Sequence, residues 1–186
     1  MEYSYMKKLY YESIYDIKNI EENIQLVILS AIGFFLSFIL GHPQILVGVL
    51  VNAMLIIGAT YLKGHKLLPL ILLPSLGVLT AGVIFGTYTI FLLYMIPLIW
   101  VGNAIYVYVY KHFNMNQNRL KNNFFGIGVA SIVKAAFLFG FAFLLVQLSI
   151  LPAVFLTAMG VLQLVTALIG GVVAIGIVKG RETLLV

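Results

Sequence analysis

Six long apolar runs decide what this chain can fold into. They cover residues 24–40, 45–62, 67–85, 90–110, 124–148 and 153–178. Each comes close to the roughly 20 residues an α-helix needs to cross about 30 Å of hydrocarbon. Inside them a single residue, Lys134, carries a charge. Over the whole chain 62% of residues are hydrophobic and 9% are charged, against about 25% charged in a soluble domain. The solvent for most of this sequence is therefore lipid. Membrane-crossing strands would be about 9–11 residues long with polar and apolar positions alternating. These runs are longer and apolar on every side, so the expected fold is all-α: one integral membrane bundle of six transmembrane helices.

The breaks between runs set the topology. Gly41-His42-Pro43 separates the first two runs, and Pro43 suits the first turn of the following helix. Lys63-Gly64-His65-Lys66 ends the second run. The third contains Pro69 and Pro74 and is followed by Gly86-Thr87-Tyr88-Thr89, a break so short that two re-entrant halves are the alternative to two crossings. Residues 111–123 form the one long polar loop, Ser149-Ile150-Leu151-Pro152 a turn, and Lys179-Gly180-Arg181-Glu182 the end of the sixth run. Lysine and arginine follow the even-numbered runs: Lys63 and Lys66, then Lys111, Arg119 and Lys121, then Lys179 and Arg181. The turns after the odd-numbered runs have neither. This asymmetry predicts a multi-pass protein of the cell membrane with both termini in the cytoplasm. No internal repeat stands out, so a transporter of two matching inverted halves is not supported.

Residues 1–23 stand apart, with five of the six acidic residues. Tyr3, Met6, Tyr10, Ile14, Ile17 and Ile24 recur at helical spacing, which fits an amphipathic helix at the membrane interface; a polar tail is the alternative. The segment is too long and too acidic to read as a signal peptide. Residues 179–186 form a short cytoplasmic tail.

Several function classes drop out. The chain has no cysteine, and His42, His65 and His112 are scattered over the breaks without metal-ligand spacing. Neither a metal nor a cofactor is expected. The net charge of +5 reflects basic residues flanking apolar runs, as topology signals do, and not a nucleic-acid surface. No carboxylate pair lies in the runs, and no histidine stands there to act as base for Ser30, Ser37, Ser75 or Ser131. An enzyme is not expected. There is no P-loop, so any energy-driven role needs a partner.

Lys134 is the sharpest feature. At 1.5 Å per residue it lies about 16 Å into the fifth run, near the midplane, where a lysine costs about 2.5–3.5 kcal/mol on insertion scales. Every acidic residue falls in a terminal segment, so the runs offer it no counter-charge. Three arrangements accommodate it: an uncharged amine, contacts to carbonyl and amide dipoles, or an anion supplied by a ligand or another subunit. Asn52, Asn103 and Gln163 reach comparable depths on three other runs. Gln163 shares a helix face with Thr157, Gly160, Thr166 and Gly170. Trp100 and Asn103 share another, led by Pro97, which frees a backbone carbonyl. Taken singly, each amide fits an ordinary interhelical hydrogen bond; together with the lysine they suggest a pocket, with Trp100 and Phe137 as apolar cover. Gly33 and Ser37, with Ala31 nearby, give the first run a small-residue face, suited to intramolecular packing or to docking another membrane protein.

Over residues 24–178 the chain resembles the substrate-binding S components of energy-coupling factor transporters. The resemblance rests on small size, six helices, cytoplasmic termini and the missing ATPase motif. Sequence stretches add to it: Gly41-His42-Pro43-Gln44 leading to Leu50-Val51-Asn52-Ala53, Ile96-Pro97 through Gly102-Asn103-Ala104, Ser131-Ile132-Val133-Lys134, and the segment from Gln163 through Gly170-Gly171. The resemblance implies binding of a vitamin or other scarce micronutrient, with a membrane scaffold subunit and two cytoplasmic ATPases as partners. It implies ligand contacts from the first and third outer loops and helices four to six, where Gln44, Asn103, Lys134 and Gln163 fall. Where family members carry Ala-xxx-Ala facing the scaffold, this chain has Gly33-xxx-Ser37. A reading from another class is a non-transporting scaffold or assembly subunit of an envelope complex, with Lys134 paired to a partner's carboxylate.

Overall fold

The computed structural model describes residues 2–40, 44–82, 89–115 and 120–184. Most of these are helical, with no strand among the described residues. In chain order the helices are α1 (Glu2–Tyr11), α2 (Asn19–Leu40), α3 (Gln44–Tyr61), α4 (Leu68–Ala81, entered through a 3₁₀ turn at Gly64–Leu67), α5 (Thr89–Asn114), α6 (Leu120–Gln147), α7 (Val154–Met159) and α8 (Val161–Leu184). Six spans are long and apolar enough to cross a membrane: α2, α3, α4 with its entry turn, α5, α6, and α7 with α8. Their outer faces carry exposed Ile28, Phe35, Phe143, Leu144, Ile169 and Val172. Apolar surface on that scale needs lipid to cover it. The chain is a multi-pass membrane protein by its fold.

The tightest pairings are α5 with α6, α3 with α8 and α2 with α4. The α2–α4 contact uses the small residues of the first run. Gly33 lies against the Met54 and Pro74 side chains, and Ser37 against Gly77 of α4. Gly33 and Ser37 are buried within the bundle, while Ala31 faces outward.

Helix ends depart from the hydropathy pattern where a polar group finds a partner. α2 starts at Asn19, ahead of residue 24, and takes in Glu22, which is 1% exposed. That carboxylate accepts from the Lys66 ammonium at 2.6 Å and from the Lys63 backbone N–H at 3.1 Å. α5 runs on to Asn114 and keeps Lys111 buried, its ammonium donating to the Glu12 carbonyl at 2.6 Å. The long polar loop is shorter than expected for the same reason; its residues 116–119 lie outside the described residues.

The helix at the start of the chain ends at Tyr11, short of the expected extent. Residues 12–18 cross beneath the bundle as a strap: the Tyr15 N–H donates to the Thr60 carbonyl at 2.9 Å, and Glu12 is held by Lys111. These tertiary bonds replace the helical ones. Arg181 near the end of α8 pairs with Glu21 at 3.4 Å and lies 4.8 Å over the Tyr61 ring. Both described chain ends therefore sit at one end of the bundle, here the terminal end. The opposite end, where α6 meets α7, is the turn end.

The third run is helical only to Ala81, where Gly82 closes α4 in the left-handed conformation (φ 62°). The expected breaks at Gly41-His42-Pro43 and Gly86-Thr87-Tyr88 lie outside the described residues. The sixth run is not continuous. The non-helical backbone of Gly160 (φ −98°, ψ −93°) bends it into α7 and α8, and only glycine fits there: a Cβ would stand 2.8 Å from the Phe139 ring of α6.

Candidate functional site

Lys134 projects from the middle of α6 and is 2% exposed. Its ammonium donates to the Asn52 amide oxygen at 2.7 Å and the Asn103 amide oxygen at 2.9 Å, and lies 5.1 Å from the centre of the Tyr106 ring. Two carboxamide dipoles and an aromatic face thus surround the cation.

The surrounding helices fix which end of each amide faces the lysine. The Asn52 nitrogen donates to the Gly48 carbonyl at 2.8 Å and to the Thr166 hydroxyl at 3.3 Å. The Asn103 nitrogen donates to the Ile71 carbonyl of α4 at 3.2 Å. With their N–H groups committed, both amides turn their oxygens inward. Close approach of α3 and α8 makes this possible. A Cβ on Gly170 would stand 2.5 Å from the Val49 carbonyl and 2.8 Å from the Asn52 Cβ, and a Cβ on Gly48 would stand 2.9 Å from Thr166. Only hydrogen atoms fit at those two crossings.

Lys134, Asn52 and Asn103 form the floor of a cavity of about 100 Å³. Its walls include Val47, Val51, Pro74, Leu92, Ile99 and Met159, and its other polar groups are Ser37, Gln44, Ser75 and Gln163. From the floor the lining residues run toward the turn end: the last turn of α2, the first residue of α3 and the α7–α8 bend. Among the described residues the ion pairs join Lys63 to Asp16, Lys66 to Glu22 and Arg181 to Glu21, all at the terminal end. No carboxylate stands within ion-pair distance of Lys134 among the described residues. No group of three His, Asp or Glu side chains that could hold a metal gathers among the described residues.

Of the sequence candidates, Lys134, Asn52, Asn103, Gln44 and Gln163 come together on this cavity. Thr166 and Trp100 stand behind it. The Thr166 hydroxyl accepts from Asn52, and the Trp100 indole N–H donates to the Ser75 hydroxyl at 2.7 Å. Phe137 does not line the cavity; it packs with Phe141 and against the apolar cluster that supplies the Leu92 and Met159 walls, and Pro97 is exposed on the outer face of α5. Sequence reasoning missed Ser75, Tyr106 and the cavity-facing position of Ser37. The two serines were visible as lone hydroxyls in apolar runs, but nothing in the sequence separates those that face a cavity from those, like Ser131, that do not. Comparison with known proteins leaves this geometry to speak for itself: no family model, no curated protein and no solved structure matches the chain.

Proposed function

We propose that this chain is the substrate-binding membrane subunit of an uptake system of the energy-coupling factor type, taking a vitamin or other micronutrient that carries a carboxylate. The observation that carries the reading is the Lys134 ammonium, held by two neutral amide oxygens at the floor of a cavity that supplies no counter-charge. A ligand carboxylate completes the pair in a site where low dielectric makes it stronger than in water. The lysine-and-arginine asymmetry supports a turn end on the outside of the plasma membrane, with the cavity taking its ligand from the exterior. Having no P-loop, the chain draws energy from a membrane scaffold and cytoplasmic ATPases. The competing reading, an assembly subunit whose partner supplies the carboxylate, fits less well: Lys134 points into the bundle, and a partner's side chain would have to enter the core to meet it.

Native mass spectrometry of gently purified wild-type and Lys134→Met protein tests the proposal. The wild type carries an acidic small molecule; the variant, equally folded, does not. An acidic ligand retained equally by the variant refutes the role of Lys134. Sustained accumulation of that ligand by the purified chain alone in liposomes refutes the dependence on partners.

A further inference from the structure

Five buried side-chain oxygens among the described residues, those of Gln25, Ser30, Ser37, Asn114 and Ser131, have no hydrogen-bond partner there, and of these residues Ser37 lines the cavity. Ser37 is 0% exposed. A buried hydroxyl that neither donates nor accepts is costly unless something else satisfies it. Its neighbour Ser75 differs: that hydroxyl donates to the Leu72 carbonyl at 2.9 Å and accepts from Trp100. The cavity therefore has two polar poles. One is the cationic floor at Lys134. The other is a free hydroxyl on α2, with the half-buried amides of Gln44 and Gln163 on the same lining.

Size restricts the occupant further. The cavity of about 100 Å³ exceeds what one water needs and suits a short occupant. Resting on the reading of Lys134 as a carboxylate site, we infer that the ligand is a small two-ended acid, its carboxylate on Lys134 and a hydroxyl or similar hydrogen-bonding group on Ser37. Apolar Val47, Val51 and Leu92 cover the short chain between. The serine thus selects among carboxylates that the lysine alone would accept equally. Ser37 faces α4 next to Gly77, so Ser37→Ala keeps the packing Cβ and removes only the oxygen.

The test uses full-length protein in detergent and two matched probe series: straight-chain monocarboxylates of two to six carbons, and the same acids with a terminal hydroxyl. Binding is read by calorimetry, and the melting temperature of each ligand-free protein is recorded. The wild type binds its best hydroxy acid about five- to tenfold more tightly than the matched plain acid, the scale of one hydrogen bond. Ser37→Ala erases that preference and holds or raises the ligand-free melting temperature. Lys134→Met loses both series. Binding of both series with no hydroxyl preference, or with a preference that survives Ser37→Ala, overturns the role of Ser37 and leaves the carboxylate site standing. Binding of neither series by the wild type overturns the small two-ended acid; a larger acidic ligand found by mass spectrometry would then preserve the carboxylate site alone.

Discussion

Asn52 presents its amide oxygen to the Lys134 ammonium at 2.7 Å because its nitrogen is already committed to the Gly48 carbonyl at 2.8 Å. The lysine is thus received by an amide whose direction α3 has set in advance, so the two side chains act as one unit. A double-mutant cycle of Asn52→Leu and Lys134→Met, read by reversible unfolding in mixed micelles, gives a coupling of about 1.5–3 kcal/mol, as for hydrogen bonds to charged groups. Asn52→Leu alone is the most destabilised of the set, since it leaves the buried ammonium with the Asn103 oxygen as its one amide acceptor. Additive effects of the two changes would show that they do not cooperate.

Lys134→Met keeps the apolar stem and removes the charge. The variant folds and inserts, and its affinity for the natural acidic ligand falls by about 2 kcal/mol or more, roughly thirtyfold. Unchanged affinity in a well-folded variant defeats the electrostatic account.

Trp100 acts through Ser75. Trp100→Phe removes the indole N–H that holds the Ser75 hydroxyl at 2.7 Å. It lowers stability by about 1 kcal/mol, the net worth of a neutral hydrogen bond, and loosens that wall of the cavity. Thermal melting of Trp100→Phe beside Ser75→Ala checks the pairing: the two losses are similar and the double variant adds little to either.

Much of this was legible in the sequence because lipid leaves so few choices. Six apolar runs and a lone charge at mid-depth announce the bundle and the residue around which its polar groups gather. Asn52 and Asn103 were visible as deep amides. What escaped was direction. Whether an amide offers oxygen or nitrogen depends on which carbonyl, Gly48 or Ile71, a neighbouring backbone brings within reach. Likewise Ser37 sits in a small-residue pattern that serves an external face or an internal one equally well, and only the crossing of α2 with α4 decides it. Hydropathy also misplaced the start of α2, because it counts Glu22 as a water-seeking group when Lys66 has taken over the role of water.

That pair supports a fourth prediction. Glu22 is 1% exposed and accepts from two groups of the α3–α4 turn. Glu22→Ala leaves Lys66 without its partner and the Lys63 N–H without its acceptor, and costs about 3–5 kcal/mol, the scale for breaking a buried ion pair. Combining it with Lys66→Met recovers part of the loss. Chemical denaturation of the three variants measures this; a single-variant loss below about 1 kcal/mol, the range of surface pairs, would show that water already screens the site.

Orientation is checked by single cysteines in this cysteine-free chain. Thr183→Cys and Ser149→Cys both place the thiol at exposed positions, at opposite ends of the bundle. An impermeant maleimide applied to intact cells labels the cysteine at 149 and spares the one at 183; the reverse pattern inverts the topology.

The strap of residues 12–18 has a consequence for traffic. It ties the ends of α3 and α5 together through Tyr15 and Glu12, while Glu21 holds α8 from the first turn of α2. On the proposed reading, a molecule resting on Lys134 would stand in a cup and leave by the rim over which it came. So long as those ties hold, the isolated chain would equilibrate its cargo with one compartment only, and the work of emptying the cup on the other side would fall to whatever loosens the strap or moves the cup as a whole.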